Sequence, residues 1–156
     1  MNAESRIQNP EFRIQNSEPL ERRTARSFHD LLVWQRAHEF VLLAYHYSEK
    51  FPRAEIYGLS SQLRRAAISI AANIAEGFKK RGRSDKMRFL NISQGSVEEC
   101  RCYLLLANDL GYGQPGLLEE KLTEVSKLLE AYTRAIWNSN RENQRLPKRG
   151  ILNPEF

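Results

Sequence analysis

Residues 59–79 read LSSQLRRAAISIAANIAEGFK, and the turn KRGR follows at residues 80–83. Apolar residues recur along this stretch at steps of three and four, which is the spacing of one face of an α-helix. Ser84 follows the turn and is suited to capping a second helix, with Asp85 favourably placed in its first turn. The two segments therefore predict a helical hairpin. The apolar stripe of its first helix consists of Leu59, Leu63, Ala66, Ile70 and Ile74.

The same spacing predicts four helices along residues 28–138, and no segment alternates with the period of a strand. Four helices with short connections predict an all-α fold, an antiparallel up-and-down four-helix bundle. The expected bounds are Asp30 (as N-cap) to Lys50, Ala54 to Lys79, Ser84 to a C′ glycine at Gly111, and from Pro115 onward. The other expected stripes are Leu31, Trp34, Ala37, His38, Val41, Leu42 and Tyr45 in helix one; Phe89, Ile92, Ser96, Val97, Cys100, Tyr103, Leu104 and Ala107 in helix three; and Leu118, Leu122, Val125, Leu129, Tyr132 and Ile136 in helix four.

Composition and length fit one globular domain with polar ends. The chain has 156 residues, of which 41% are hydrophobic and 28% charged. No run of about 18 apolar residues predicts a membrane span, and no apolar signal core is found near the N-terminus. Residues 1–27 and 139–156 are expected to be flexible tails, and both carry related short segments such as NPEF. A cytoplasmic location is the expectation, because the only two cysteines, Cys100 and Cys102, are not placed to pair.

The net charge of +5 is concentrated in one span. Residues 64–88 hold eight basic and two acidic side chains, and most of the basic ones lie near the turn. Such clustering suits the phosphates of a nucleic acid, although an exposed turn is often rich in Lys and Arg without binding anything. Only Phe78 and Phe89 flank the turn as aromatic residues, so sequence-specific readout is not predicted. The nucleic-acid-binding candidates are Arg64, Arg65, Lys79, Lys80, Arg81, Arg83, Lys86 and Arg88.

A polar stripe runs along helix two beside its apolar face. Pairing about the 80–83 turn places Ser69 opposite Gly95, which would let the two backbones approach closely, and Arg65 opposite Glu98 or Glu99. This pattern favours a structural polar seam, with partner binding or a catalytic site as the alternatives. The seam candidates are Gln62, Arg65, Ser69, Asn73, Glu76, Gly95, Ser96 and Glu99.

The pattern of chemistry-bearing residues predicts no enzyme, no catalytic residue, no metal and no cofactor. The polar stripe carries no activated nucleophile with a paired base. His29, His38 and His46 lack metal-site spacing, and His38 and Tyr45 are expected to fill the bundle wall. No phosphate-binding glycine loop or nucleophile elbow is present.

Seven short motifs follow one another in a fixed order along about residues 28–137. They are Phe28 to Trp34, Pro52 with Glu55 to Leu59, Gln62 to Ile70, Asn73 to Gly77, Phe89-Leu90, Gly95 to Glu99 and Leu110 to Tyr112. Together these motifs resemble the four-helix-bundle proteins encoded in intervening sequences of 23S ribosomal RNA genes. One departure is the segment Ile92-Ser93-Gln94 before Gly95, where the family commonly has an Ala.

The resemblance implies a bundle that assembles with itself into a ring, usually a pentamer. A more distant relative is the accessory variability determinant of diversity-generating retroelements, a basic ring that binds a reverse transcriptase and nucleic acid. The leading hypothesis is therefore a homo-oligomer that binds RNA or DNA, with a reverse transcriptase or other nucleoprotein component as a possible partner. The alternative is a protein–protein adaptor or scaffold that docks through the polar seam or the acidic residues Glu119, Glu120, Glu124 and Glu130 of helix four.

Overall fold

The computed structural model describes the backbone of residues 24–145 and the side chains of residues 24–139. The predicted tail segments at residues 1–23 and 146–156, with their related short sequences, lie outside the described residues. Every regular element of the described part is helical, which confirms the all-α prediction. The elements are a 3-10 turn at Phe28–Asp30, α1 at Leu32–Ser48, a 3-10 turn at Arg53–Glu55, α2 at Leu59–Lys79, α3 at Arg83–Asp109 and α4 at Gly116–Arg145.

Helices α2 and α3 make the most extensive contact in the fold, and they run in opposite directions. Ser93 Oγ donates a hydrogen bond to the carbonyl of Ile70 at 2.7 Å, and Lys86 Nζ donates one to the carbonyl of Gly77 at 3.2 Å. The residue numbers rise along one helix as they fall along the other. The register predicted about the 80–83 turn agrees with these contacts.

The remaining helices close the bundle at both ends. Tyr47 Oη, at the end of α1, donates to the carbonyl of Gly113 at 2.7 Å, beside the start of α4. Nearer the start of α1, the Nε atom of Arg36 lies 3.0 Å from Oε1 of Glu124 in α4. In these contacts, too, residue numbers rise along α1 as they fall toward the start of α4. Helix α4 extends to Arg145, beyond the bundle end predicted at residue 138.

The buried face of α1 differs from the predicted stripe. Phe40 is fully buried, whereas Leu42 is 59% exposed, Tyr45 is 38% exposed and His38 lies on the outer surface. Helix α1 is apolar on more than one side, so its spacing fits two overlapping stripes, and packing against α2 and α4 selects one of them. The predicted role of His38 and Tyr45 as wall fillers was therefore wrong. The residues of α1 that are buried are Val33, Ala37, Phe40, Ala44, Tyr47 and Ser48.

The predicted stripe of α2 is wholly buried, and that of α4 is buried from Leu118 to Leu129 with Tyr132 and Ile136 packed against the core. In α3 the prediction was partly wrong, because Ile92 is 43% exposed and Phe89 is only partly buried. Leu90 and Ser93 take the core positions there. A buried serine is tolerated at Ser93 because its hydroxyl donates to the Ile70 carbonyl.

Helices α1 and α2 both begin later than predicted. Asp30 does not cap α1, because its carboxylate accepts the preceding backbone N–H groups of Arg26 and Ser27 at 2.8 and 3.1 Å. Glu55, which was predicted to lie inside helix two, instead accepts the Leu59 N–H at 2.9 Å and the Tyr112 hydroxyl at 2.9 Å. The Leu59 N–H, followed by the Tyr112 hydroxyl, lowers the pKa of the Glu55 carboxyl. Glu55 thus fixes the start of α2.

Helix α3 ends at the glycine that the sequence predicts. Gly111 has a φ of +76°, a left-handed conformation that glycine adopts without steric cost. Its N–H donates to the Asn108 carbonyl at 3.0 Å, and the Tyr112 N–H donates to the Ala107 carbonyl at 2.9 Å. These two bonds form a Schellman motif, which satisfies the last carbonyls of α3 and turns the chain toward α4.

Candidate nucleic-acid interface

Six cationic residues between positions 79 and 88 lie at the end of the bundle where α2 meets α3. Only one acidic residue, Asp85, interrupts them in that span. Three of the cations, Lys79, Arg81 and Arg88, have exposed side chains. We call the whole group the basic end; it consists of Lys79, Lys80, Arg81, Arg83, Lys86 and Arg88.

The two other predicted cations, Arg64 and Arg65, do not belong to the basic end. Fifteen residues of helix separate Arg64 from Lys79, which is about 22 Å along α2. Arg64 Nε donates to Ser48 Oγ at 2.8 Å, and its guanidinium lies 4.7 Å from the centre of the Tyr45 ring. Arg64 therefore joins α2 to the last turn of α1, while Arg65 is exposed one residue further along α2.

Lys86 and Lys80, two members of the basic end, contact other groups within the α2–α3 hairpin. Lys86 Nζ donates to the carbonyls of Gly77 and Phe78 at 3.2 and 2.7 Å, so it covers the C-terminal end of α2. Partial burial lowers the pKa of the Lys86 ammonium. Lys80 Nζ lies 3.6 Å from Glu76 Oε1 and 5.0 Å from the centre of the Phe89 ring. Lys79, Arg81 and Arg88 are thus the cations best placed to meet a phosphate.

An exposed tryptophan of α4 lies against the basic end. The Arg83 guanidinium is 4.4 Å from the centre of the Trp137 ring, and Arg83 Nη1 donates to the Trp137 carbonyl at 3.4 Å. Trp137 is still 45% exposed. A shallow groove runs beside this pair, and it is lined by Arg83, Ser84, Met87, Arg88, Asn91, Ile92 and Trp137.

Sequence reasoning missed Trp137 because it lies 54 residues from Arg83 along the chain. The predicted topology could have indicated this contact, because an antiparallel bundle brings the end of helix four to the beginning of helix three. Trp137 directly follows Ile136, the last residue of the predicted stripe. Its position next to the stripe placed it at the edge of the α3–α4 contact.

Part of the predicted polar seam forms a hydrogen-bonded group between α2 and α3. The hydroxyls of Ser96 and Ser69 lie 2.8 Å apart. Asn73 Nδ2 donates to Ser69 Oγ at 3.0 Å and to the Ser69 carbonyl at 2.7 Å. Ser96 is buried and the other two side chains are half-buried, so this group acts inside the helix contact.

The outer members of the seam stay on the surface. Gln62, Arg65, Glu76, Gly95 and Glu99 are exposed. Within the described part of the chain, Arg65 forms no ion pair with Glu98 or Glu99; Glu98 instead pairs with Arg101 at 3.2 Å. The predicted position of Arg65 opposite Glu98 or Glu99 therefore produces no ion pair among the described residues.

The close approach of α2 and α3 occurs at Gly77, not at Gly95. A Cβ added to Gly95 would meet nothing within 4 Å, whereas one added to Gly77 would lie 3.1 Å from the Cβ atom of Phe89. Gly77 is also buried. The prediction for Gly95 was wrong, because residue 95 faces outward while Ser93 and Ser96 face α2.

The residues that could support redox or metal chemistry are kept apart. Burial, followed by the charge of Glu99, raises the pKa of the Cys100 thiol to about 12, while Cys102 is exposed on the other side of α3. No group of three or more His, Cys, Asp or Glu side chains in the described part of the chain could hold a metal ion. Among the described helices, none is long and apolar enough to cross a bilayer.

Comparison with known proteins gives one family and a related fold. The model of the 23S rRNA-intervening sequence protein family matches residues 29–131. A crystal structure from Bacteroides thetaiotaomicron, of a protein of unknown function from the S23 ribosomal protein family, is similar with a TM-score of 0.60 and 25% identity. The match covers 65% of this chain and 98% of that one. No curated protein sequence matches the chain.

Proposed function

Because the chain belongs to the 23S rRNA-intervening sequence protein family, as its motifs predicted, we propose that it is a non-enzymatic, homo-oligomeric module that binds RNA or DNA. The observation that carries this proposal is the basic end, a span of ten residues that contains six cationic side chains and one carboxylate. Lys79, Arg81 and Arg88 leave their charges open to solvent. A polyanion that follows this surface would neutralise several of them at once.

The physical basis of such binding is counterion release. Each phosphate that a Lys or Arg neutralises frees condensed cations, so the logarithm of the binding constant falls with the logarithm of the salt concentration. For a single strand the slope is about −0.7 per phosphate contacted. Binding of this kind does not depend on nucleic-acid sequence, in keeping with the sequence analysis, which predicts no sequence-specific readout.

Fluorescence anisotropy of labelled single-stranded RNA and DNA tests the proposal. Changing Lys79, Arg81 and Arg88 together to Glu should weaken binding on the order of 100-fold at 50 mM salt, and should reduce the salt slope by about 2. The expectation follows from the loss of three phosphate contacts.

A matched control carries the same charge change away from the basic end. Lys50, Arg53 and Lys127 are exposed cations elsewhere on the bundle. Their triple change to Glu should leave most of the binding intact. Equal losses in the two triple variants would show that only net charge matters, and no binding of the unaltered protein at low salt would overturn the proposal.

Self-association is the second part of the proposal, and exposed apolar residues support it. The Glu55–Tyr112 hydrogen bond brings the α1–α2 connection beside the α3–α4 connection. Around these two connections, Tyr57 is 94% exposed, and four further large apolar residues are about half exposed. We call this group the apolar end; it consists of Ile56, Tyr57, Leu106, Leu110 and Leu117. Copies that cover the apolar end remove it from water, and a ring of copies repeats the basic end.

Light scattering tests the assembly. We expect a mass several times the 18.2 kDa of one chain, and five times that mass for a pentamer. Changing Leu106 and Leu110 to Glu should reduce the mass, since it places charges in the covered surface. Asn108→Glu, an exposed change in the same turn, should not. A single-chain mass for the unaltered protein would contradict the oligomer.

A further inference from the structure

We infer that the groove beside Trp137 holds one unpaired nucleobase, so that the basic end prefers single-stranded nucleic acid to a duplex. The inference rests on the proposed nucleic-acid function and assigns a specific role to a side chain outside the cationic cluster. Its basis is the placement of an exposed indole between cations at the meeting point of α3 and α4.

The indole is available for stacking. Tryptophan is highly buried on average, yet Trp137 keeps 45% of its surface open. The Arg83 guanidinium lies 4.4 Å from the ring centre and so occupies part of one face without enclosing the ring. Base stacking on an aromatic side chain stabilises single-strand complexes and tolerates any sequence.

The groove offers a base both apolar and polar contacts. Ile92, which is 43% exposed, and Met87 supply apolar surface on the α3 side. Ser84 and Asn91 supply hydroxyl and amide groups that could bond the edge of a base. A duplex hides its base faces in the stack, so it would gain nothing from Trp137.

The charges around the groove favour a nucleotide over an apolar peptide. Arg83 and Arg88 line the groove itself, and Arg81 lies in a second hollow on the other side of Arg83. A phosphate on either side of a stacked base would therefore meet a guanidinium. An apolar peptide segment would have to cover these guanidinium groups without pairing them, which is costly.

Three probes of equal length separate base stacking from charge: a single-stranded RNA, the corresponding duplex, and inorganic polyphosphate, which has charges but no bases. Trp137→Ala should weaken single-strand binding by about 5- to 150-fold, the range for loss of one stacked base. It should leave duplex and polyphosphate binding, and the salt slope, nearly unchanged, because no phosphate contact is removed. Trp137→Phe should restore part of the single-strand affinity.

Tryptophan fluorescence gives a second, direct measurement of stacking on the indole of Trp137. The chain has two tryptophans, Trp34 and Trp137, so a Trp34→Phe variant isolates the signal of Trp137. Stacking should quench its fluorescence with the single strand, but not with polyphosphate.

The outcomes distinguish this inference from the function on which it rests. If all three probes bind and Trp137→Ala leaves single-strand affinity unchanged or weakens all of them equally, the inference is wrong while the proposed function stands. If no probe binds, both are overturned. A lower light-scattering mass for Trp137→Ala would show that the indole of Trp137 takes part in contacts between copies, and it would also overturn the inference.

Discussion

Replacing Phe40 with Ala should lower the free energy of unfolding by about 3–5 kcal/mol. Phe40 is fully buried at the centre of the α1 face that packs on the core. Truncation removes its apolar surface from the interior and leaves a cavity that the neighbouring helices fill only in part. Such a loss is a large share of the 5–15 kcal/mol that stabilises a typical domain.

Leu42→Ala is the matched control, because Leu42 lies on the same helix and is 59% exposed. We expect its effect to stay within about 0.5 kcal/mol. Urea unfolding followed by circular dichroism, at two protein concentrations, measures both variants and separates a loss of folding from a loss of assembly. If Leu42→Ala cost as much as Phe40→Ala, the packed face of α1 would be the one that the sequence predicted.

The contrast between Phe40 and Leu42 shows what helical spacing determines. Spacing placed α1 in the chain with an error of one residue at its start and two at its end, and the all-α fold followed from the four periodic segments. It did not determine the rotation of α1, because apolar residues occur on several sides of that helix. In α2 and α4 one face alone is strongly apolar, and there the predicted stripes are the ones that pack into the core.

The candidate interface also contains features that the sequence predicts and features that it does not. The cations from Lys79 to Arg88 could be found from the sequence because they are neighbours in the chain. The separation of Arg64 from them was also readable, since helical rise alone places it about 22 Å away. Trp137 and the capping role of Lys86 were missed, because both depend on which helix ends meet and on which side chains face each other there. The predicted antiparallel topology brings the end of helix four beside the beginning of helix three, but it does not give the rotation of each helix about its axis. Clusters of neighbours in the chain were therefore predictable residue by residue, whereas contacts between distant residues, such as the hydrogen bond between Ser69 and Ser96, were predictable only in part.

Replacing Gly77 with Val should lower the free energy of unfolding by about 3 kcal/mol, at the upper end of the range for overpacking. The first added carbon would already lie 3.1 Å from Phe89 Cβ and 3.5 Å from the Lys86 carbonyl oxygen. Both neighbours belong to α3, and one of the two atoms is backbone, so relief requires the hairpin to open. Opening would also lengthen the bond from Lys86 Nζ to the Gly77 carbonyl.

Gly95→Val makes the same chemical change on the outer side of α3, where an added Cβ meets nothing within 4 Å. Its effect should stay within about 0.5 kcal/mol, because valine and glycine differ by only a few tenths of a kcal/mol in helix propensity. Thermal and urea unfolding of the two variants therefore measure the packing at Gly77 with the substitution held constant. Similar stabilities for the two variants would mean that α2 and α3 do not approach closely at Gly77. A loss of stability in Gly95→Val alone would place the close approach at Gly95, as the sequence predicted.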